Sequence, residues 1–305
     1  MALSIRPIDI RPIDGGRPGF AGEVSGIDIA RGVSAADAAV IESGMDRYAV
    51  LVFRGQEITD AQQYAFSQNF GPMEKATGDI AGPGERRLSM DINDISNLDQ
   101  SGKVLARDDR RRLFNLGNRL WHSDSSFKPV PAKYSILSAR RIPASGGNTE
   151  FADMRAAYDA LDPRTKAEVE DLVCEHSLIY SREAIGFTDL TPEERAAFAP
   201  VRQPLVRKHP VTGRKSLFLA SHAGAIVGWT VPEARMFLRD LVEHATQREF
   251  VYAHKWRVGD IVMWDNRQTL HRARRFDRTE VRDVRRTTLA GEPAIPAKSG
   301  LPLAA

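Results

Sequence analysis

The apolar runs in this chain are short, and that limits what it can fold into. Ala49-Val50-Leu51-Val52-Phe53, Tyr134-Ser135-Ile136-Leu137-Ser138-Ala139 and Ile261-Val262-Met263-Trp264 are of strand length, and Arg54-Gly55, Gly146-Gly147 and Gly259-Asp260 punctuate the chain as turns. Asn148-Thr149-Glu150-Phe151-Ala152 reads as another strand, and Phe250, Tyr252, His254 and Trp256 alternate along a further one. Helical signals fall between them. Ser34-Ala35-Ala36-Asp37 opens a helix with Ile41, Met45 and Tyr48 on one face. The capping box at Thr59 to Gln62 opens a second, carrying Phe66 and Phe70 and stopped by Gly71-Pro72. Shorter helices are expected near 153–161, after Asp162-Pro163 and after Thr191-Pro192. A longer one, with Phe237, Leu238, Leu241 and Val242, follows the capping box Thr230-Val231-Pro232-Glu233. Short strands with helical insertions predict a mainly β fold with α insertions, a sandwich or barrel with helices packed outside, rather than βαβ repeats.

With 305 residues, no internal repeat and no low-complexity linker, the chain reads as one domain over 1–305. Residues 75–120 are its least regular part, rich in Gly, Asp and Arg. They are expected to form a lid, with disorder as the competing explanation. Against 40 acidic residues stand 43 basic ones, a net charge of +3, too small for a nucleic-acid footprint over the whole surface. The single cysteine, Cys174, excludes an internal disulfide framework and fits a reducing compartment; among apolar neighbours it reads as a small hydrophobe. No stretch approaches the roughly 18 apolar residues of a membrane span, and the first residues lack the apolar core of a signal peptide. The expectation is a cytoplasmic protein with neither membrane nor nucleic acid as partner.

Chemistry concentrates in three places. In Trp121-His122-Ser123-Asp124, extended backbone puts His122 and Asp124 on one side, able to fill two positions on a metal or simply to hydrogen-bond each other. His271 follows the Trp264-Asp265-Asn266-Arg267 segment far along the chain. Two imidazoles and one carboxylate match the facial arrangement of non-haem Fe(II) oxygenases, though Zn or Mn would also be accepted. In Val281–Leu289, Arg282 and Arg286 share a strand face and would enter the same cavity. Pointing inward they need anions; pointing outward they make a basic edge strand.

These segments, with Ser145–Tyr158, Val52-Phe53-Arg54-Gly55-Gln56 and Asn69-Phe70-Gly71-Pro72, together resemble the taurine/2,4-dichlorophenoxyacetate dioxygenase family. The resemblance covers nearly the whole chain up to about residue 292. It implies a double-stranded β-helix (jelly-roll) flanked by helices, with Fe(II) held by His122, Asp124 and His271, and 2-oxoglutarate and O2 as co-substrates. The far carboxylate of 2-oxoglutarate would pair with Arg282 and Thr149, with Trp264 lining its pocket. Arg286 falls where the family holds the substrate's anion, and Asn97 and His222 fall in substrate-side segments. Asn118–Phe127 and His244–Tyr252 are most similar to the aryloxyalkanoate branch. This implies hydroxylation of a phenoxyacetate-type acid beside its ether oxygen, with taurine, another sulfonate or an alkyl sulfate as the alternative substrate, and a homo-oligomeric assembly. A non-catalytic jelly-roll protein that binds metal or anion is the rival of a different class. The intact set His122, Asp124, His271, Arg282 and Thr149 speaks against that rival, and Asp124 argues for hydroxylation, because family relatives that halogenate lack this carboxylate.

Overall fold

The computed structural model describes residues 8–13, 15, 17–76 and 86–303. Its largest sheet runs in the order Asp9–Pro12, Gly22–Ser25, Val50–Phe53, Ile261–Asp265, Ala132–Arg141, Asp283–Ala290, Met73–Glu74, and Asn93–Asp94 also pairs with Asp283–Ala290. Gly22–Ser25 and Val50–Phe53 pair in parallel, while the neighbours inward from there are antiparallel. A second sheet of three antiparallel strands, Val251–His254, Thr149–Asp153 and Thr269–Ala273, faces it.

Strand alternation explains why the apolar runs are continuous rather than interrupted: both faces of the large sheet are covered. Leu51, Phe53, Ile136, Ile261 and Met263 point outward onto Ile41, Met45 and Tyr48 of helix Ala35–Tyr48 and Phe66 of helix Asp60–Gln68. Val50, Val52, Leu137, Val262, Trp264 and Val284 point inward and meet Phe151 and Tyr252 of the small sheet. Beyond that sheet, Ala152 and Leu270 pack on Met154, Ala157, Leu238 and Leu241 of helices Met154–Asp159 and Val231–Ala245. The order of layers is thus helix, sheet, sheet, helix.

Local signals behave as the sequence suggests at most helix starts. Ser34 accepts the Asp37 N–H, and both Thr59 with Gln62 and Thr191 with Glu194 close full capping boxes. Thr230 differs. Its hydroxyl donates to the Glu233 carboxylate instead of accepting a main-chain N–H, so helix Val231–Ala245 begins without a side-chain cap. The strand expected through Phe250 and Trp256 is only Val251–His254; Phe250 ends a 3-10 turn, and Trp256 lies past the last paired residue. Of the expected lid, 77–85 lie outside the described residues. The part from 86 onward holds strand Asn93–Asp94, a Leu98–Val104 bridge and helix Arg110–Asn115, and it buries Leu98, Leu105 and Phe114. No helix among the described residues is long and apolar enough to cross a membrane.

Candidate active site

His122 and His271 are far apart in sequence but form an isolated antiparallel bridge. The His122 N–H donates to the His271 carbonyl at 3.0 Å and the His271 N–H to the His122 carbonyl at 2.8 Å. Residues paired in this way present their side chains on one face, and the two rings lie 4.1 Å apart. Asp124 completes the group. One ligand atom from each of His122, Asp124 and His271 lies within 4.8 Å of the others, and all three residues are buried.

The sheet fixes this carboxylate. Asn266, just past the Ile261–Asp265 strand, accepts the Asp124 N–H at 3.0 Å and the Trp264 Nε1–H at 3.0 Å, while its amide donates to Ser135 Oγ. Ser135 in turn donates to Asp124 Oδ2 at 2.7 Å, and Ser123 Oγ donates to the Asn266 carbonyl. Arg286 Nη1 donates to the other oxygen, Oδ1, at 2.6 Å. Burial by itself would raise the Asp124 carboxyl, but the Arg286 guanidinium, with the Ser135 hydroxyl, holds it down at about 2. Burial pushes both imidazoles below the usual histidine range, so they stand neutral with lone pairs to offer. His122 Nδ1 meets the Leu120 carbonyl at 2.8 Å, which assigns the proton there and leaves Nε2, 3.9 Å from Asp124, as the ligand atom. His271 Nε2 is 3.8 Å from Asp124, and its buried Nδ1 has no partner. Two neutral imidazoles and one carboxylate on a single face fit Fe(II) with open positions remaining.

Over this floor lies a cavity of about 190 Å³ lined by His122, Asp124, Arg286, His222, Arg182 and apolar side chains that include Leu98, Leu105, Phe114, Phe127 and Leu178. His222 stands edge-on to His122 at 5.9 Å and to Phe127 at 5.0 Å, and burial, then His122, keeps it neutral. Arg282 is buried at the start of the Asp283–Ala290 strand, its Nη1 donating to the Ile95 carbonyl at 3.1 Å; burial pulls its guanidinium down to about 10. Contrary to the expectation of one shared cavity, it faces a neighbouring cavity rather than the one holding Arg286, because Arg282 lies just before the strand and the register shifts between Asp283 and Val284. Gly147, with φ 68°, turns the chain beside it, and a Cβ there would stand 3.6 Å from Arg282 Nε. Thr149 begins its strand two residues later, buried, its hydroxyl accepting from Trp256 Nε1 at 3.0 Å. Trp264 packs on His271 at 4.7 Å between ring centres and is fully buried.

Asn97 is placed differently from expectation. It does not line the cavity over the triad: its Oδ1 accepts the Arg282 N–H at 2.9 Å and its amide donates to the Glu280 carbonyl at 2.8 Å. With its amide spent in this way, Asn97 pins the main chain from which Arg282 projects. Two residues escaped the sequence reading. Asn266 sat in plain view beside Asp265, but an asparagine after a strand carries no signal of a hub. Arg182, within Tyr180-Ser181-Arg182-Glu183, lies in a segment with no motif to single it out.

The chain belongs to the taurine catabolism dioxygenase TauD, TfdA family, whose model matches residues 9–288. It is 48% identical over 278 residues to the alpha-ketoglutarate-dependent 2,4-dichlorophenoxyacetate dioxygenase of Cupriavidus pinatubonensis, covering 91% of this chain and 97% of that protein. Identity to the (S)-phenoxypropionate/alpha-ketoglutarate-dioxygenase of Sphingobium herbicidovorans is 38%, over 94% of this chain and 96% of that one. Among solved structures, AAD-2 in complex with Mn(II) and N-oxalylglycine superposes with a TM-score of 0.91 at 59% identity, covering 95% of this chain and all of that one (100%).

Proposed function

We propose that the protein is an Fe(II)- and 2-oxoglutarate-dependent dioxygenase that hydroxylates an aryloxyacetate-type acid at the carbon beside its ether oxygen. The product is a hemiacetal, which collapses to a phenol and glyoxylate; one O2 and one 2-oxoglutarate are consumed, and succinate and CO2 are released. The two facing sheets are read as the double-stranded β-helix core of a single domain. The observation that carries the proposal is the buried His122–Asp124–His271 group under a cavity with one guanidinium against the carboxylate and aromatic and aliphatic walls around it. The substrates in the relatives' names, 2,4-dichlorophenoxyacetate and (S)-phenoxypropionate, are aryloxy acids of the size and charge that such walls suit.

His122, Asp124 and His271 would hold the metal. Bound Fe(II) supplies the O2 chemistry that couples oxidative decarboxylation of 2-oxoglutarate to hydroxylation of a C–H bond. Arg282, buried without a carboxylate partner, receives the far carboxylate of the co-substrate with help from the Thr149 hydroxyl, and Trp264 closes the base of that pocket. Arg286 already shares Asp124 and offers its remaining donors to the acid group of the substrate, which fixes the reacting carbon over the floor. Neutral His222 and the Phe127, Phe114 and Leu178 side chains exclude water around the ring. The single buried cysteine supports a cytoplasmic setting, and the family resemblance a homo-oligomer.

The test is succinate formation by the purified protein with Fe(II), ascorbate, 2-oxoglutarate and O2, against phenoxyacetate, both phenoxypropionate enantiomers, taurine and an alkyl sulfate. Phenol released in step with succinate is the expected result. Succinate matched only to taurine or the sulfate would overturn the substrate class, and no acid-stimulated succinate would overturn the reading as a whole.

A further inference from the structure

Buried arginines in this protein fall into two kinds. Arg155 grips the Asp153 carboxylate at 2.8 Å, as a buried guanidinium ordinarily must. Arg182, Arg207 and Arg282 form no ion pair among the described residues, and burial lowers all three. Arg207 spends its donors on the main-chain carbonyls of Asn266 and Arg267 and lies face-on to Phe218, so its role is structural. Arg282 waits for the co-substrate under the function proposed above. Arg182 has the same signature and no assigned partner.

Arg182 reaches from the last turn of helix Leu178–Glu183 into the wall of the cavity that also holds His122, Asp124, His222 and Arg286, yet it is only 4% exposed. Its Nη1 donates to Ser181 Oγ at 2.9 Å, its plane lies 4.0 Å from the Phe114 ring centre, and its buried Nε has no acceptor. Burial pulls its guanidinium down to about 10, the same level as Arg282. Space is made for it by a missing side chain: a Cβ on Gly117 would fall 2.4 Å from Nη1. Of the other cations on this wall, Arg87 is matched by Asp94 and Asp283 and Arg111 by Asp109, while Arg86 donates to the Leu88 and Ser89 carbonyls.

Arg182 and Arg286 line the cavity through different neighbours. Arg286 touches Asp124 directly, whereas Arg182 is linked through Ser181 Oγ, which also meets His222 Nδ1 at 3.0 Å, and His222 in turn stands edge-on to His122. The apolar side chains of Phe114, Phe127 and Leu178 also line the cavity. We propose that Arg182 is a second anion anchor, so that the preferred substrate is an aryloxy acid bearing a further carboxylate on its ring, remote from the carboxylate held by Arg286. A planar guanidinium donating to a carboxylate in a water-poor pocket is the pairing that relieves the cost of leaving Arg182 unmatched. This inference rests on the aryloxy-acid reading above.

The experiment compares phenoxyacetate with 4-carboxyphenoxyacetate and its 3-carboxy isomer. Dissociation constants are measured by calorimetry on protein loaded with Mn(II) and N-oxalylglycine, where nothing turns over, and kcat/KM is measured on the Fe(II) enzyme. The expected result is that a ring carboxylate in one of the two positions tightens binding by about tenfold or more. In Arg182→Met the ratio between the two classes of acid collapses toward one, and Arg182→Lys restores part of it. The proposal is overturned if the unsubstituted acid binds as well as both dicarboxylates, or if Arg182→Met weakens all three acids by the same factor, the mark of a residue that only props Phe114. Should the methionine variant not fold, the ratio in the unaltered protein decides. Binding that favours the dicarboxylate without phenol release would leave Arg182 as the anchor and overturn the reaction instead.

Discussion

Beneath the cavity, most polar contacts of the triad come from paired main chain and sheet residues, the bridge of His122 and His271, the Asn266 amide, the hydroxyls of Ser135 and Ser123, with the Leu120 carbonyl on His122 Nδ1 as the exception. The wall above is assembled otherwise. Residues 86–120 touch the sheet through the short strand Asn93–Asp94 and are otherwise tied down by side-chain ion pairs, Arg87 to Asp94 and Asp283 and Arg110 to Asp189 and Glu194, and by aromatic contacts such as Phe114 with Phe187. A site built on sheet hydrogen bonds holds its geometry to a fraction of an ångström, while a wall held by partly exposed ion pairs can be altered without moving the floor. The difference teaches that the floor and most of the wall are anchored by different kinds of contact, with Asn93–Asp94 and Leu120 as the points where they join.

The comparison can be broken first at the floor. His271→Ala removes a ligand atom, so activity should fall to background and metal binding should be lost in a titration with Mn(II). Because His271 Nδ1 makes no hydrogen bond, the melting temperature of the metal-free protein should change little beyond the loss of ring packing. Asn266→Ala leaves the Asp124 N–H and the Trp264 Nε1–H without acceptors in a buried place; a loss of about 2–4 kcal/mol in denaturant unfolding is expected. Metal affinity should fall about 10–100-fold with it, and an unchanged affinity would show that the hub does not position Asp124.

Acid tests the network as a whole. Burial would raise Asp260, Asp265 and Asp283, but the hydrogen-bonding and cationic partners of each win, so all three sit below the ordinary aspartate value of 3.8. A folded-state value below the unfolded one means stability that is fully present above the ordinary range and lost as pH falls through it. The melting temperature should therefore hold near neutrality and drop steeply below about pH 4; a flat profile to about pH 3 would contradict the pairing. At the wall the effect should be smallest. Arg110→Ala removes partly exposed ion pairs and should cost under about 1 kcal/mol, with kcat/KM within about a factor of two, readable by denaturant titration and steady-state assay.

How much of this was legible in the sequence follows the same division. The floor was readable because strands impose a period of two and because the spacing of His122, Asp124 and His271 belongs to a family pattern. Val50 to Phe53 gave its two-sided burial directly in its composition. The wall was not readable. Asn97 lies within a segment associated with substrate, yet its amide turned to the main chain of Arg282, a choice made by tertiary contact alone. Nothing in the sequence singled out Arg182, and only the fold, by laying Phe114 and Gly117 against it, made it a buried cation. Thr230 carried the letters of a capping box, but its hydroxyl found the Glu233 carboxylate closer than a main-chain donor.

The central claim is that His122, Asp124 and His271 hold iron and that Arg282 holds the co-substrate beside it. Its most direct test is the visible absorption of the protein with Fe(II) and 2-oxoglutarate under strictly anaerobic conditions. The account predicts a weak charge-transfer band that saturates with 2-oxoglutarate, is absent in His122→Ala, and in Arg282→Gln needs about 10–100-fold more 2-oxoglutarate to appear. No band in the unaltered protein, or the same band in His122→Ala, would contradict it.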